Sequence, residues 1–144
     1  MRKEWVLTLL GTLGGACSWL FGGWDGAATV LLVLMAIDYL TGIIGAAVFH
    51  VSTKSPTGAL ESKAGWKGLV RKCLTLLLVT VGAMLDKLLG TAFVRDAVII
   101  AFCANEALSI TENAGLMGVP VPGALRRAID VLNRSAEEGG HETD

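Results

Sequence analysis

The chain has 144 residues, of which 53% are hydrophobic and only 17% charged, and its formal net charge is −1. This composition is more apolar than that of an ordinary soluble domain, so a membrane protein is the first class to consider. The near-zero charge excludes the global basic field typical of nucleic-acid-binding proteins, and we expect no nucleic-acid partner.

Four apolar segments follow one another along the chain, at about residues 5–24, 26–49, 69–89 and 92–111. The first has no charged residue from Trp5 to Trp24, and at 1.5 Å per residue it spans about 30 Å, the thickness of a bilayer's hydrocarbon core. We predict an all-α, polytopic membrane protein with a transmembrane domain at 1–112. It has four transmembrane helices, or three if the first segment lies at the membrane surface.

The first segment is rich in glycine, which lowers its helix propensity and leaves the interfacial alternative open. Gly11 and Gly15 form a GxxxG pair, a spacing that lets transmembrane helices approach closely but is common by chance. The basic start and the Gly-Ala-Cys17 sequence faintly resemble a lipoprotein signal. Gly14 stands where such signals have a larger aliphatic residue, so we treat the segment as retained.

The second segment is the strongest candidate span and carries Asp38 in its middle. Its aliphatic and aromatic residues contribute roughly −3 to −7 kcal/mol to insertion, against about +2.5 to +3.5 kcal/mol for one central aspartate. Insertion is therefore still favoured. Asp38 adds a penalty for facing lipid alone, and hence a preference for a partner, a lumen or a protonated state.

The third and fourth segments are shorter and interrupted by charges. Cys73 to Leu85 is charge-free, and flanking basic side chains could extend this segment by reaching the membrane surface. The fourth segment continues past Glu106. Read singly, both could be helices of a soluble bundle. Because they follow the second segment, which is a strong candidate span, we interpret both as transmembrane helices.

Charge placement predicts the orientation, because cytoplasmic loops collect Lys and Arg. The loop predicted at 50–68 and the start of the third segment hold Lys63, Lys67, Arg71 and Lys72. We predict that this basic loop is cytoplasmic. Four crossings with both termini inside place every basic cluster on one side of the membrane.

The chain changes character beyond residue 112. Residues 113–144 are predicted as a cytoplasmic tail, beginning with a turn-rich stretch of Gly and Pro. Leu125, Ala128, Ile129 and Leu132 then fall on one face of a short amphipathic helix at about 123–135, which could lie on the membrane or pack against a copy of itself. The acidic end from Ser135 is predicted to be disordered.

Polar residues within the apolar segments are the candidate functional residues. We nominate five as lining a pore or oligomer interior, since intramembrane polar groups usually face a bundle interior or a watery cavity: Asp38, Thr41, Asp86, Asn105 and Glu106. The alternative is a neutralising contact that only fixes packing, for example between Asp38 or Glu106 and Arg95 or Lys72. Four glycines are helix-packing candidates: Gly11, Gly15, Gly42 and Gly45.

No catalytic constellation is visible in the sequence. There is no Gly-rich phosphate loop, nucleophile elbow or paired-cysteine motif, and the two histidines are far apart. Cys17, Cys73 and Cys103 lack metal-ligand spacing, and we interpret them as small buried hydrophobic residues. We predict a non-enzyme without cofactor or metal.

Three blocks of sequence carry a resemblance to a known family. They are DYLTG at 38–42, SKAGWKGL at 62–69 leading into Arg71-Lys72, and NEALSITENAG at 105–115 with a Gly-Val-Pro-Val-Pro exit. In this order and spacing, over about residues 31–132, the chain resembles the toxin-secretion and phage-lysis holin family. Members of that family are often described with three membrane segments, whereas the charge pattern here favours four.

The resemblance implies a phage or prophage holin of the bacterial cytoplasmic membrane. Such a protein forms a homo-oligomer in the bilayer and opens lesions that release an endolysin, with no direct contact to it required, or in some relatives a large toxin. The alternatives are a small four-helix multidrug or ion transporter with a membrane carboxylate, and a membrane adaptor that recruits a partner through its tail.

Overall fold

The protein is all-α in a computed structural model that describes residues 2–138, and no β-strand occurs in that range. The all-helical class predicted from the sequence is therefore confirmed. Five helices follow in order: α1 (Arg2–Leu20), α2 (Gly26–Ile44) with a π-helical continuation at Gly45–Phe49, α3 (Ser62–Leu89), α4 (Val94–Leu116) and α5 (Gly123–Glu138).

The helix ends differ from the predicted segments because apolar content alone was used to place them. α3 begins at Ser62 rather than near residue 69, so Lys63 and Lys67 lie on a helix and the loop is confined to 50–61. α4 continues to Leu116, into the predicted tail. α5 reaches Glu138, so 135–138 are helical rather than disordered, and the last six residues of the predicted acidic end lie outside the described range.

Local chemistry explains where two of these helices begin and end. The Asp25 carboxylate accepts a hydrogen bond from the Ala28 backbone N–H at 2.9 Å and so caps α2. α3 ends at Gly90, whose φ of 68° is the left-handed conformation that glycine adopts without strain. The polypeptide therefore turns sharply between α3 and α4.

α4 is the central helix of the bundle and contacts α2, α3 and α5. The apolar core combines Leu31 and Met35 of α2, Val79 of α3, and Ile99 and Cys103 of α4. α1 stands apart from this core. Its side chains from Lys3 onward are exposed, apart from a half-buried Ser18, and it touches only α3.

The bundle buries a few polar groups beside its apolar core and exposes many large apolar side chains on its exterior. Among the residues that the structure describes, five polar or charged ones are buried: Asp38, Thr75, Asp86, Arg95 and Glu106. Large apolar side chains are exposed along all five helices, including Leu88 at 81% exposure and Trp5 at 75%. Water would disfavour so continuous an apolar surface, whereas a lipid environment favours it.

Within the described range, two helical stretches are long and apolar enough to cross a membrane, Gly26–Phe49 and Ser62–Leu89. The predicted count of four transmembrane helices is therefore not confirmed. α1 begins with three consecutive charged residues and α4 contains Arg95, Asp96, Glu106 and Glu112, which dilutes the apolar character of both helices.

The cysteine interpretation was partly wrong. Cys103 is buried in the core, but Cys17 and Cys73 are exposed on the apolar exterior. The error arose because an apolar neighbourhood in sequence was equated with burial inside the protein, whereas here much of the apolar surface faces outward.

Candidate functional site

One buried lysine joins two carboxylates from different helices. Lys72 Nζ of α3 lies 2.8 Å from Asp38 Oδ2 of α2 and 2.5 Å from Glu106 Oε2 of α4. The three side chains are only 13%, 7% and 8% exposed, in that order. We call Asp38, Lys72 and Glu106 the ion triad.

Asn113 extends the ion triad by two turns along α4. Its side-chain amide donates to Asp38 Oδ1 at 3.2 Å and to Thr41 Oγ1 at 3.0 Å. Thr41 in turn donates to the Asp38 backbone carbonyl. Within residues 2–138, no buried side-chain nitrogen or oxygen atom lacks a hydrogen-bond partner, so the polar interior is fully satisfied in the protomer.

The ion triad lies deep within the helices rather than at their ends. Asp38 follows the start of α2 by twelve residues, and Glu106 follows the start of α4 by the same number, which at 1.5 Å per residue is about 18 Å. A charge at that depth in a membrane needs a partner. Lys72 supplies one positive charge against two carboxylates, so the fully ionised triad carries a net charge of −1.

The structure brings together some of the predicted lining residues and separates others. Asp38 and Glu106 meet at Lys72, which matches the neutralising contact weighed as an alternative. Thr41 joins them through Asn113, which donates to both Thr41 and Asp38. Asn105 is exposed on the outside of α4, and Asp86 lies near the far end of α3. The expectation that some of the five nominated residues face a lumen in an oligomer remains a prediction.

Two residues of the site were misplaced from the sequence. Lys72 had been grouped with the cytoplasmic basic loop, whereas it lies within α3 and is largely buried. Asn113 had been assigned to the tail. The spacing between Glu106 and Asn113 could have revealed that Asn113 belongs to the site, because residues seven apart on a helix lie on the same face.

Asp86 belongs to a second polar cluster, at the opposite end of the bundle from the 50–61 loop. Its carboxylate accepts hydrogen bonds from Thr91 Oγ1 at 2.6 Å and from the backbone N–H groups of Val94 and Arg95 at 3.0 and 2.9 Å. Asp86 therefore caps α4 from the preceding helix, since the first N–H groups of a helix have no partner within it.

Arg95 ties the α1–α2 turn to this second cluster. Its guanidinium donates to the backbone carbonyls of Phe21 and Gly23 and forms an ion pair with Asp25 at 2.8 Å. The hydrogen bond from Arg95, followed by the bond from the Ala28 backbone N–H, lowers the pKa of Asp25 to about 2. Nearby, Lys87 Nζ lies 3.8 Å from the ring centroid of Trp19.

The predicted helix-packing glycines fall into two groups. A Cβ atom on Gly42 or Gly45 would lie 3.8 to 3.9 Å from side chains that include Asn113 and Met117, so both face the end of α4. A Cβ atom on Gly11 or Gly15 would meet nothing within 4 Å. Contact of these two glycines with another helix therefore stays a prediction.

Gly82, which was not nominated from the sequence, makes the closest helix contact of this kind. A Cβ atom there would lie 3.1 Å from Arg95 Cα and 3.4 Å from Arg95 N. Among residues 2–138, no group of three or more His, Cys, Asp or Glu side chains could hold a metal ion. The chemistry of the site is thus charge pairing in an apolar surrounding.

Comparison with known proteins decides the family. The model of the bacteriophage holin family matches residues 15–134, which is most of the chain. The chain belongs to the bacteriophage holin family. The resemblance noted from the three sequence blocks is thereby confirmed.

Relatives of this holin-family chain occur in phages and bacteria. A probable holin of Bacillus phage phi105 is 32% identical over 116 residues, covering 80% of each chain. An uncharacterized 14.9 kDa protein in the nagH 3'region of Clostridium perfringens is 39% identical over 132 residues, covering 90% of this chain and 92% of the relative. The YqxH protein of Bacillus subtilis is 33% identical over 134 residues. No solved structure matches the chain.

Family membership bears on two of the predictions made from the sequence. The holin family is not an enzyme family, which agrees with the predicted non-enzyme. Together with the two long apolar helices, it also supports a membrane protein. The ion triad is thus a buried charge cluster in a protein of the holin family.

Proposed function

We propose that this protein is a holin that accumulates in the cytoplasmic membrane of a bacterial host, forms a homo-oligomer and opens lesions through which an endolysin reaches the cell wall. Host cell lysis would follow. The observation that carries the proposal is the ion triad, a set of charges contributed by three helices and buried inside a bundle with an apolar exterior.

The triad suits a protein that must be stable in the bilayer before it opens. While α2, α3 and α4 remain packed, each charge is paired and the protomer presents apolar side chains to lipid. Lesion formation would separate these helices and expose Asp38, Lys72 and Glu106 to water, where charged groups are well solvated. A wide lesion needs many such helices, so one protomer cannot form it alone.

The proposed topology follows from packing and charge. α4 packs between α2 and α3, so if its neighbours cross the membrane, α4 lies in the membrane with them. We propose that the 50–61 loop, the start of α3 and the C-terminal tail are cytoplasmic, because they carry most of the basic side chains. If α1 also crosses, the N-terminus is cytoplasmic as well, and Gly11 and Gly15 are available for contact with a second copy.

Induction in a bacterium that co-expresses a cytoplasmic endolysin tests the proposal. We expect membrane potential to collapse abruptly and turbidity to fall only when the endolysin is present. Asp38→Leu should insert but lose or mistime lysis, whereas Glu112→Leu, which removes an exposed carboxylate from α4, should lyse on schedule. Unchanged timing of Asp38→Leu at equal membrane abundance would mean that this carboxylate is a packing detail.

The transporter alternative is disfavoured by the same geometry and by family membership. A proton-coupled carboxylate must be free to exchange its proton for a substrate, but both carboxylates of the triad are held by Lys72. A transporter would show saturable, gradient-dependent flux and preserve the membrane potential. An adaptor would neither depolarise the membrane nor release the endolysin, so the induction experiment separates all three functions.

A further inference from the structure

The start of α3 carries a basic stripe that no ion pair among residues 2–138 explains. Lys63, Lys67 and Arg71 follow one another at intervals of four residues, so they lie on one face of the helix. All three are exposed. None of them forms an ion pair with another residue in the range 2–138.

An exposed tryptophan stands within this basic stripe. Trp66 is 66% exposed, and the apolar side chains of Leu69 and Val70 beside it are 43% and 39% exposed. Tryptophan and lysine side by side are typical of the level where lipid headgroups meet the hydrocarbon core. The stripe is thus amphipathic in composition, with three cations next to an aromatic anchor.

The length of α3 places this anchor at the membrane boundary. Trp66 precedes Asp86 by twenty residues on one continuous helix, which corresponds to about 30 Å, the thickness of the hydrocarbon core. Asp86 marks the opposite boundary, because it belongs to the polar cluster with Arg95. Lys63 and Lys67 then lie at headgroup level. Arg71 lies about one turn deeper, within reach of the headgroups by extension of its side chain.

We propose that Lys63, Lys67 and Arg71 bind the phosphate groups of anionic phospholipids in the inner leaflet, with Trp66 anchored beside them. The proposal rests on the membrane location proposed above but does not require lysis. Charge complementarity carries it, because three cations that form no ion pair within residues 2–138 lie on one helix face within reach of the negative phosphates of that leaflet. Binding would fix the depth of α3, and through Lys72 the depth of the ion triad.

Native mass spectrometry of the full-length protein in detergent tests this with phosphatidylglycerol and phosphatidylcholine as probes. We expect tighter binding of phosphatidylglycerol, and a loss of about 100-fold in that affinity for Lys63→Gln/Lys67→Gln/Arg71→Gln, or about fivefold per side chain. The Lys63→Arg/Lys67→Arg variant should retain the preference. Because no lysis is measured, a failure of the proposed function leaves this result interpretable.

A charge-matched variant provides the control. Arg126→Gln/Arg127→Gln/Arg134→Gln removes three exposed cations from α5 and should keep the preference for phosphatidylglycerol. Equal losses in both triple variants would mean that net charge alone attracts the lipid, and the proposal would be wrong. Displacement of the lipid by millimolar inorganic phosphate would also overturn it, by indicating a site for free anions.

Discussion

Lys72 and Asp38 are 34 positions apart in sequence, yet Lys72 Nζ lies 2.8 Å from Asp38 Oδ2 in the buried centre of the bundle. The same ammonium group also binds Glu106. The contact explains how a carboxylate persists in the most apolar segment of the chain. It also makes Lys72 the residue on which two negative charges depend.

Replacing Lys72 should be more damaging than replacing Asp38. Lys72→Met leaves Asp38 and Glu106 buried and unpaired, and breaking a buried ion pair in this way costs about 3 to 5 kcal/mol. Asp38→Leu leaves Lys72 paired with Glu106, so we expect a smaller loss. Circular dichroism, recorded while each variant unfolds in mixed micelles, measures the loss of stability of both variants.

The triple variant Asp38→Asn/Lys72→Met/Glu106→Gln serves as the control for that comparison. It removes all three charges together, and we expect stability to recover toward that of the wild type while lysis fails. If Lys72→Met and Asp38→Leu lose the same stability, the hypothesis that Lys72 alone neutralises both carboxylates is wrong.

Asp86 should behave as a helix cap rather than a lumen residue. Its carboxylate accepts from two backbone N–H groups at the start of α4, and losing a cap costs about 0.5 to 2 kcal/mol. Asp86→Ala should therefore lower stability in the micelle assay by that amount, and Asp86→Asn by less. A loss of lysis in Asp86→Ala without any loss of stability would instead support the lining role predicted from the sequence.

Gly82 and Gly11 should respond in opposite directions to alanine. At Gly82 the added methyl group would press on the backbone of Arg95, and overpacking of this kind costs about 1 to 3 kcal/mol. At Gly11 the space is open, so Gly11→Ala should gain up to about 1 kcal/mol of helix propensity. Thermal unfolding in detergent measures the change in stability of Gly82→Ala and of Gly11→Ala. A Gly11→Ala variant that remains stable as a monomer but loses its oligomer would indicate contact with a second copy.

The ion pair between Arg95 and Asp25 should weaken at acidic pH. The pKa of Asp25 is lowered from 3.8 to about 2, so its stabilising contribution is complete above pH 3.8 and is lost as the pH falls through about 2. Fluorescence of Trp24, with the other tryptophans replaced by phenylalanine, should change over that window. Asp25→Asn should abolish the transition, and a transition that survives this substitution must belong to another group.

Much of the fold was predictable because helix formation in this chain follows from local composition. The Gly26–Phe49 helical stretch coincides with its predicted segment, since twenty-four residues with one charge leave few alternatives. Leu89, the last residue of α3, matches its predicted segment, but the start of α3 at Ser62 and the end of α4 at Leu116 do not, because those terminal turns carry polar residues that apolar content does not detect. Asp38, Thr41 and Glu106 were recognisable as candidates because polar residues are costly in apolar segments.

The sequence by itself determined the helical class, the apolar exterior that suits lipid and the polar residues that needed partners, because composition and periodicity act within a segment. Only the tertiary structure decided which partners they have. It selected Lys72 rather than Arg95 as the partner of both Asp38 and Glu106, placed Asn113 against Asp38 and assigned Asp86 to the start of α4. These contacts join residues up to 75 positions apart, and such pairings depend on how the helices pack together, which no local pattern specifies.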